Sequence, residues 1–170
     1  ERGLGFHALS VDMNTFMKEN ASIMDENIIG QIRNASKVVT PIMVTMALET
    51  YEATRNSDVL ITVEFGVALL FDVIKANNLK TILINPAPLN PTVEFSSALP
   101  PAPGWFPFPE WYNRTSYSIF HRLGWTILGS ARKKTAKELP GQPKSSYKEY
   151  KSMILNTPAL TTVSKHIVQG

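Results

Sequence analysis

The stretch "DVLITVEFGVALLFDVIKANNLKTILIN" (58–85) carries the clearest instruction for folding in this chain. "DVLITV" (58–63) is rich in β-branched residues and lacks polar alternation, the pattern of a parallel strand buried on both faces. "EFG" reads as the turn that follows. "VALLFDVIKANN" places Val67, Leu70, Phe71 and Ile74 on one face of a helix. "KTILIN" (80–85) is a second buried strand. Strand, helix and strand with short joints make a βαβ unit, so the expected class is α/β with a Rossmann-like parallel sheet.

Outward from this unit the chain reads as helices and short strands. "LGFHAL" (4–9) has strand composition, and apolar residues at helical spacing from Met13 to Ala35 predict one or two helices. In "TPIMVTMALETYEATR", Thr40 reads as a helix cap with Pro41 at the first helical position. Met43, Met46 and Ala47 share a face, and the helix should end near Asn56–Ser57. "TSYSIFHRLGWTILGSARKKTAKEL" reads as one long helix capped by Thr115 or Ser116, with Ile119, Leu123, Ile127 and Ala131 recurring every four residues. Arg132, Lys133, Lys134 and Lys137 gather in its last turns, complementing the helix dipole. A short helix at "SSYKEYK" and a strand at "ALTTV" (159–163) follow.

Composition limits the function. The chain has 170 residues, 44% hydrophobic and 18% charged, with a net charge of +3. That describes a globular domain with only a mild basic excess, so no nucleic-acid partner is expected. There is no cysteine, which excludes disulfides and thiolate chemistry. His7, His121 and His166 are far apart in sequence, so no metal site is expected. No run is long and apolar enough to span a bilayer, and a cytoplasmic location, peripheral at the membrane, is the expectation. The sequons at Asn20, Asn34 and Asn113 are read as chance. Opening on "ERGLGF" without methionine, the chain is expected to be a piece of something longer.

Eight of the 12 prolines fall between Asn85 and Trp111, among Phe95, Trp105, Phe106, Phe108 and Trp111. This segment leaves the carboxyl end of a strand, the side where open parallel sheets bind ligands. Proline keeps it out of sheets and limits its wandering. Its rings form either one wall of a pocket for a bulky apolar molecule or a cap folded back on the sheet.

The ordered set of Asp58, Pro86, Pro88, Thr92, Phe95 and the prolines from 100 to 103 resembles the middle of the amino-terminal domain of bacterial and fungal UDP-glycosyltransferases, the sterol 3β-glucosyltransferase-like and antibiotic glycosyltransferase-like members above all. "ERGLGFHAL", "YNRTSY" with the Trp-bearing helix after it, and "TPALTTVSKHIV" resemble the family too, so the likeness covers essentially the whole chain. It implies a GT-B architecture in which residues 1–170 form a single, amino-terminally truncated acceptor-binding domain. The carboxy-terminal donor domain, with its UDP-sugar, would lie elsewhere, and no cofactor would sit in this chain. The partner is a small apolar acceptor carrying a hydroxyl, and the reaction is sugar transfer with inversion. No residue matches the family's base, so none is assigned, and the fragment alone is expected to be inactive.

The acceptor-binding residues are then expected to be Phe65, Asn85, Pro86, Pro88, Thr92, Phe95, Trp105 and Phe106. Glu64, projecting into the cleft with Phe65, is the candidate for supporting the base; the alternative is an ordinary turn carboxylate. Asp58 reads as an anchor of the strand start. His7 reads as a packed or solvated imidazole, and His121 as a surface residue beside Arg122. His166, just after a strand end, reads as structural. The methionines read as core. The basic helix end, with Trp105, Phe106, Phe108 and Trp111, supports an alternative reading as a non-catalytic lipid- or membrane-docking module. A nucleotide-binding flavodoxin-like domain is disfavoured because no G-x-G-x-x-G or Walker loop occurs. Bare strand edges predict self-association.

Overall fold

The computed structural model describes residues 7–12, 15, 16, 18, 28–86, 91, 96, 97, 109–142 and 144–162. In chain order its elements are α1 (Ile28–Ala53), β1 (Val59–Thr62), α2 (Glu64–Ala76), β2 (Lys80–Asn85), α3 (Glu110–Ile127), α4 (Gly129–Glu138), α5 (Tyr147–Asn156) and β3 (Ala159–Thr161). The fold is α/β. Among the described residues its sheet is parallel and three-stranded, in the order β1-β2-β3. Ile61 pairs with Ile82 across β1 and β2, and Ile84 with Leu160 across β2 and β3.

Helix α2 is the axis of the molecule. It is apolar nearly all round, and Val67, Ala68, Leu69, Phe71, Val73 and Ile74 are all buried. A helix of that composition must be surrounded, and α2 packs against α1, α3, α4, α5, β1 and β2. Each of its large apolar side chains contributes about 1.5–3 kcal/mol by leaving water. Asn78, at φ 52°, turns the chain out of α2 toward β2. Asn77 donates from Nδ2 to the Tyr51 carbonyl at 2.8 Å, tying the end of α2 to the end of α1.

Among the described residues the helices cover one face of the sheet, whereas the sequence reads as strands buried on both. Thr81, Leu83 and Asn85 of β2 turn toward α2 and are buried, whereas Val59, Ile61, Ile84 and Leu160 on the other face are exposed. The apolar runs express what the strands can bury. They do not say how many layers cover them.

The helices differ from expectation at their ends. Thr40 is no cap: α1 runs unbroken through Pro41. An interior proline costs about 3 kcal/mol, and the packing of Met43, Val44, Ala47, Leu48 and Tyr51 into the core opposes that cost. Helix α3 starts five residues before Thr115, with Pro109 at its N-cap, so neither Thr115 nor Ser116 caps it. The expected single long helix is broken at Leu128 into α3 and α4. "EFG" is the first turn of α2 and no separate turn. Ser146 opens α5 with a capping box that includes Glu149. Strand β3 ends at Thr161, and His7 to Leu9 lie in no strand.

Candidate functional site

Two strands deliver their carboxyl ends to the same rim. At the end of β1 the chain passes from Val63 into α2, and at the end of β2 it passes from Asn85 into Pro86. Val63, the N-cap of α2, offers no side-chain hydrogen bond. Asn85 on the neighbouring strand caps the helix in its place, its Oδ1 accepting the Glu64 backbone N–H at 3.2 Å. A free N–H at a buried helix start would be costly, which explains an amide-bearing side chain that is itself buried. The Asn85 carbonyl also accepts the Thr162 N–H at 3.0 Å, so one residue joins β2, the start of α2 and the end of β3.

Gly66 sits where α2 rises off β1. A Cβ there would lie 2.3 Å from Oγ1 of Thr62, so any larger residue would have to displace the Thr62 hydroxyl where glycine leaves it room.

Glu64 is the first residue of α2. It does not project into a cleft and is no turn carboxylate. Its side chain is buried, and Oε1 lies 2.9 Å from Nε2 of His121 on α3. His121 is equally buried, which corrects its reading as a surface residue. The nitrogen forms no straight N–H···O hydrogen bond, so the contact is one of ion-pair distance and not of aimed donation. The Glu64 carboxyl also stands at the positive end of the α2 dipole. Tyr117, one turn before His121, is fully buried, and burial pushes its phenol up.

Phe65 turns the other way. Its side chain is 45% exposed, and its ring lies 3.6 Å from where a Cβ on Gly124 would stand. The bare backbone of Gly124 therefore gives the ring a flat seat on α3. Pro86 is exposed as well. Near this rim Phe65 and Pro86 are exposed, whereas Glu64, His121 and Asn85 are buried. Pro88, Thr92, Phe95, Trp105, Phe106 and His166 lie outside the described residues. His7 is exposed, as is Asp58, whose carbonyl accepts the Lys80 N–H at 2.9 Å where the strand begins.

Sequence reasoning missed His121 because Arg122 beside it suggested solvent. The signal was there in the spacing: Asn113, Tyr117, His121 and Gly124 recur at four, four and three residues and form the buried face of α3. Asn113 of the third sequon is likewise buried on that face.

A second buried polar cluster lies further along α2. Asp72 accepts a hydrogen bond from the Ser145 hydroxyl and stands 3.7 Å from Nε of Arg132 on α4. The Arg132 guanidinium lies 3.2 Å from the centroid of the Trp125 ring and donates to the Trp125 carbonyl at 3.1 Å. Trp125 stacks on Tyr150, and Phe71 meets both edge-on. Burial pushes the Asp72 carboxyl up, while Ser145 and Arg132 pull it back. Burial likewise lowers the Arg132 guanidinium against the raising effect of Asp72. Arg132 is therefore an internal tie between α2, α3 and α4, and does not belong to a solvated basic helix end; Lys133, Lys134 and Lys137 remain exposed.

Among the described residues no group of three metal-ligating side chains occurs. Comparison with protein-family models, curated proteins and solved structures finds no match.

Proposed function

We propose that residues 1–170 are the acceptor-binding part of an inverting glycosyltransferase, which moves a sugar from a UDP-sugar to a hydroxyl of a sterol-like or other apolar acceptor. One observation supports this above the rest. Phe65 and Pro86 leave adjacent parallel strands at one rim and are both exposed, while the polar residues between them turn inward. That rim is where open parallel sheets bind small molecules, and it leads directly into the proline- and aromatic-rich stretch. An exposed ring on a fixed seat suits an apolar acceptor, because few rotors are lost on contact.

On this reading the acceptor hydroxyl attacks the sugar carbon as a general base takes its proton and UDP departs. Base and donor site belong to parts of the enzyme outside residues 1–170. The role of this chain is to bind the acceptor and orient its hydroxyl. Glu64, held by His121 beneath the rim, acts as a support of that surface.

Titration with a fluorescent sterol, read by energy transfer from tryptophan, tests the reading. Saturable binding is expected, competed by unlabelled sterol and weakened about tenfold by Phe65→Ala, as for loss of one aromatic contact of about 1.4 kcal/mol. No binding of sterols or other apolar alcohols, or binding indifferent to Phe65→Ala, contradicts it.

A further inference from the structure

Helix α3 is packed with its polar side inward. Asn113, Ser116, Tyr117, His121 and Gly124 are buried, whereas Trp111, Ile119, Leu123 and Ile127 are exposed, Trp111 at 68% and Ile127 at 62%. Ile119, Leu123 and Ile127 stand one turn apart, a line about 12 Å long at about 1.5 Å per residue, and Trp111 lies further round the helix toward its start. Isolated exposed apolar residues are ordinary, but three large ones on successive turns mark a contact surface.

The charge around the stripe says what kind of contact. Between Glu110 and Glu138 the chain has no acidic residue and six basic ones, Arg114, Arg122, Arg132, Lys133, Lys134 and Lys137. This stretch therefore holds a net +6, and the other residues of the chain sum to −3 against a total of +3. Arg132 is consumed internally by Asp72. Arg114 and Arg122 remain exposed on α3, as do Lys133, Lys134 and Lys137 on α4, one to three turns past Ile127. Arg122 is poised over the Tyr147 ring at 5.1 Å.

We infer that the exposed face of α3, together with the lysines of α4, docks on an anionic phospholipid bilayer. An amphipathic helix with Ile and Leu on one side and Lys and Arg around it lies in the interface plane, its apolar side chains among the acyl boundary and its cations at the headgroup phosphates. A nucleic acid would satisfy the cations but leave Ile119, Leu123 and Ile127 against water, so the bilayer fits both halves of the surface. No described helix is long and apolar enough to cross a membrane, so the contact is peripheral. The docking surface does not depend on the transferase reading: its residues are other than Phe65, Asn85 and Pro86.

Flotation of the whole chain with vesicles tests this, comparing phosphatidylcholine alone with phosphatidylcholine containing phosphatidylglycerol. Binding is expected only to the anionic vesicles, falling with added salt. Two double variants, Leu123→Ser with Ile127→Ser and Lys133→Glu with Lys134→Glu, each weaken it about tenfold or more. Both change exposed positions, so an unaltered circular-dichroism melt verifies their folding. Absence of binding to anionic vesicles overturns the proposal, as does equal binding to neutral vesicles or by the charge-reversed variant. A concentration-dependent dimer that Leu123→Ser with Ile127→Ser dissociates, without vesicle binding, overturns it in favour of a second copy. Nucleic-acid binding without vesicle binding also overturns it.

Discussion

Oε1 of Glu64 lies 2.9 Å from Nε2 of His121, and both side chains are almost wholly buried at the point where β1 gives way to α2. The pair joins the start of α2 to α3, the same two helices that bring Phe65 and Gly124 together. Removing one partner leaves the other buried without its complement, the situation that costs most in a protein interior. His121→Leu is expected to lower unfolding stability by about 3 kcal/mol. Glu64→Leu with His121→Leu is expected to cost less than His121→Leu alone. Urea unfolding of the single and double variants measures both, and strict additivity contradicts the coupling.

Asn85 substitutes for an N-cap that Val63 cannot supply. Asn85→Ala should cost about 1–2 kcal/mol, the range for loss of a helix cap, and Asn85→Asp should not restore the wild-type stability although it accepts the same N–H, because it buries a second carboxyl beside Glu64. Thermal melts distinguish the two outcomes. Gly66→Ala should cost about 1–3 kcal/mol through the clash with Thr62, and Thr62→Ala in the same chain should return part of it.

The Asp72–Arg132 pair predicts a pH-dependent variant. With Arg132→Met the Asp72 carboxyl loses its cation, and its folded pKa, already raised by burial, rises further. A carboxyl with a raised folded pKa favours folding in its protonated form, so its contribution is largest in acid and is lost as pH rises through the folded value. Arg132→Met is expected to cost about 3 kcal/mol at neutral pH and clearly less near pH 4. Asp72→Asn added to it should recover most of the loss. A cost independent of pH contradicts the role of Asp72.

The capping box of α5 has the opposite sign. Hydrogen bonds from the Ser146 backbone, then from Lys75 and the Ser146 hydroxyl, hold the Glu149 carboxyl below its ordinary 4.5. Its stabilising effect is present above that value and is lost as pH falls through the folded pKa. Glu149→Gln should therefore flatten the acid limb of the stability profile below pH 4.5 and leave its neutral side little changed in shape. Ser146→Ala should cost about 1 kcal/mol at neutral pH.

The βαβ unit was legible because two apolar runs, a helix apolar nearly all round and short joints allow few other arrangements. Phe65, Asn85 and Pro86 follow from it, since residues at strand ends are fixed once the strands are. The cover of the sheet was not legible: "DVLITV" states an apolar content and not the number of layers around it. Helix α3 shows the other limit. Ile119, Leu123 and Ile127 advertise a face by period alone, yet the packed face is the one bearing Asn113, Tyr117, His121 and Gly124. Gly124 admits the Phe65 ring and His121 meets Glu64, and both are long-range matches that local hydropathy does not encode. Pro41 misled for a similar reason, because core packing carried α1 through a residue that usually begins a helix.

Acceptor binding at the strand-exit rim is tested most directly by amide chemical-shift mapping during titration with a soluble sterol. Saturable shifts centred on Phe65, Gly66, Asn85 and Gly124, absent from Phe65→Ala, are the predicted result. Shifts confined to the Ile119–Ile127 face of α3, or no shifts at all, would contradict it.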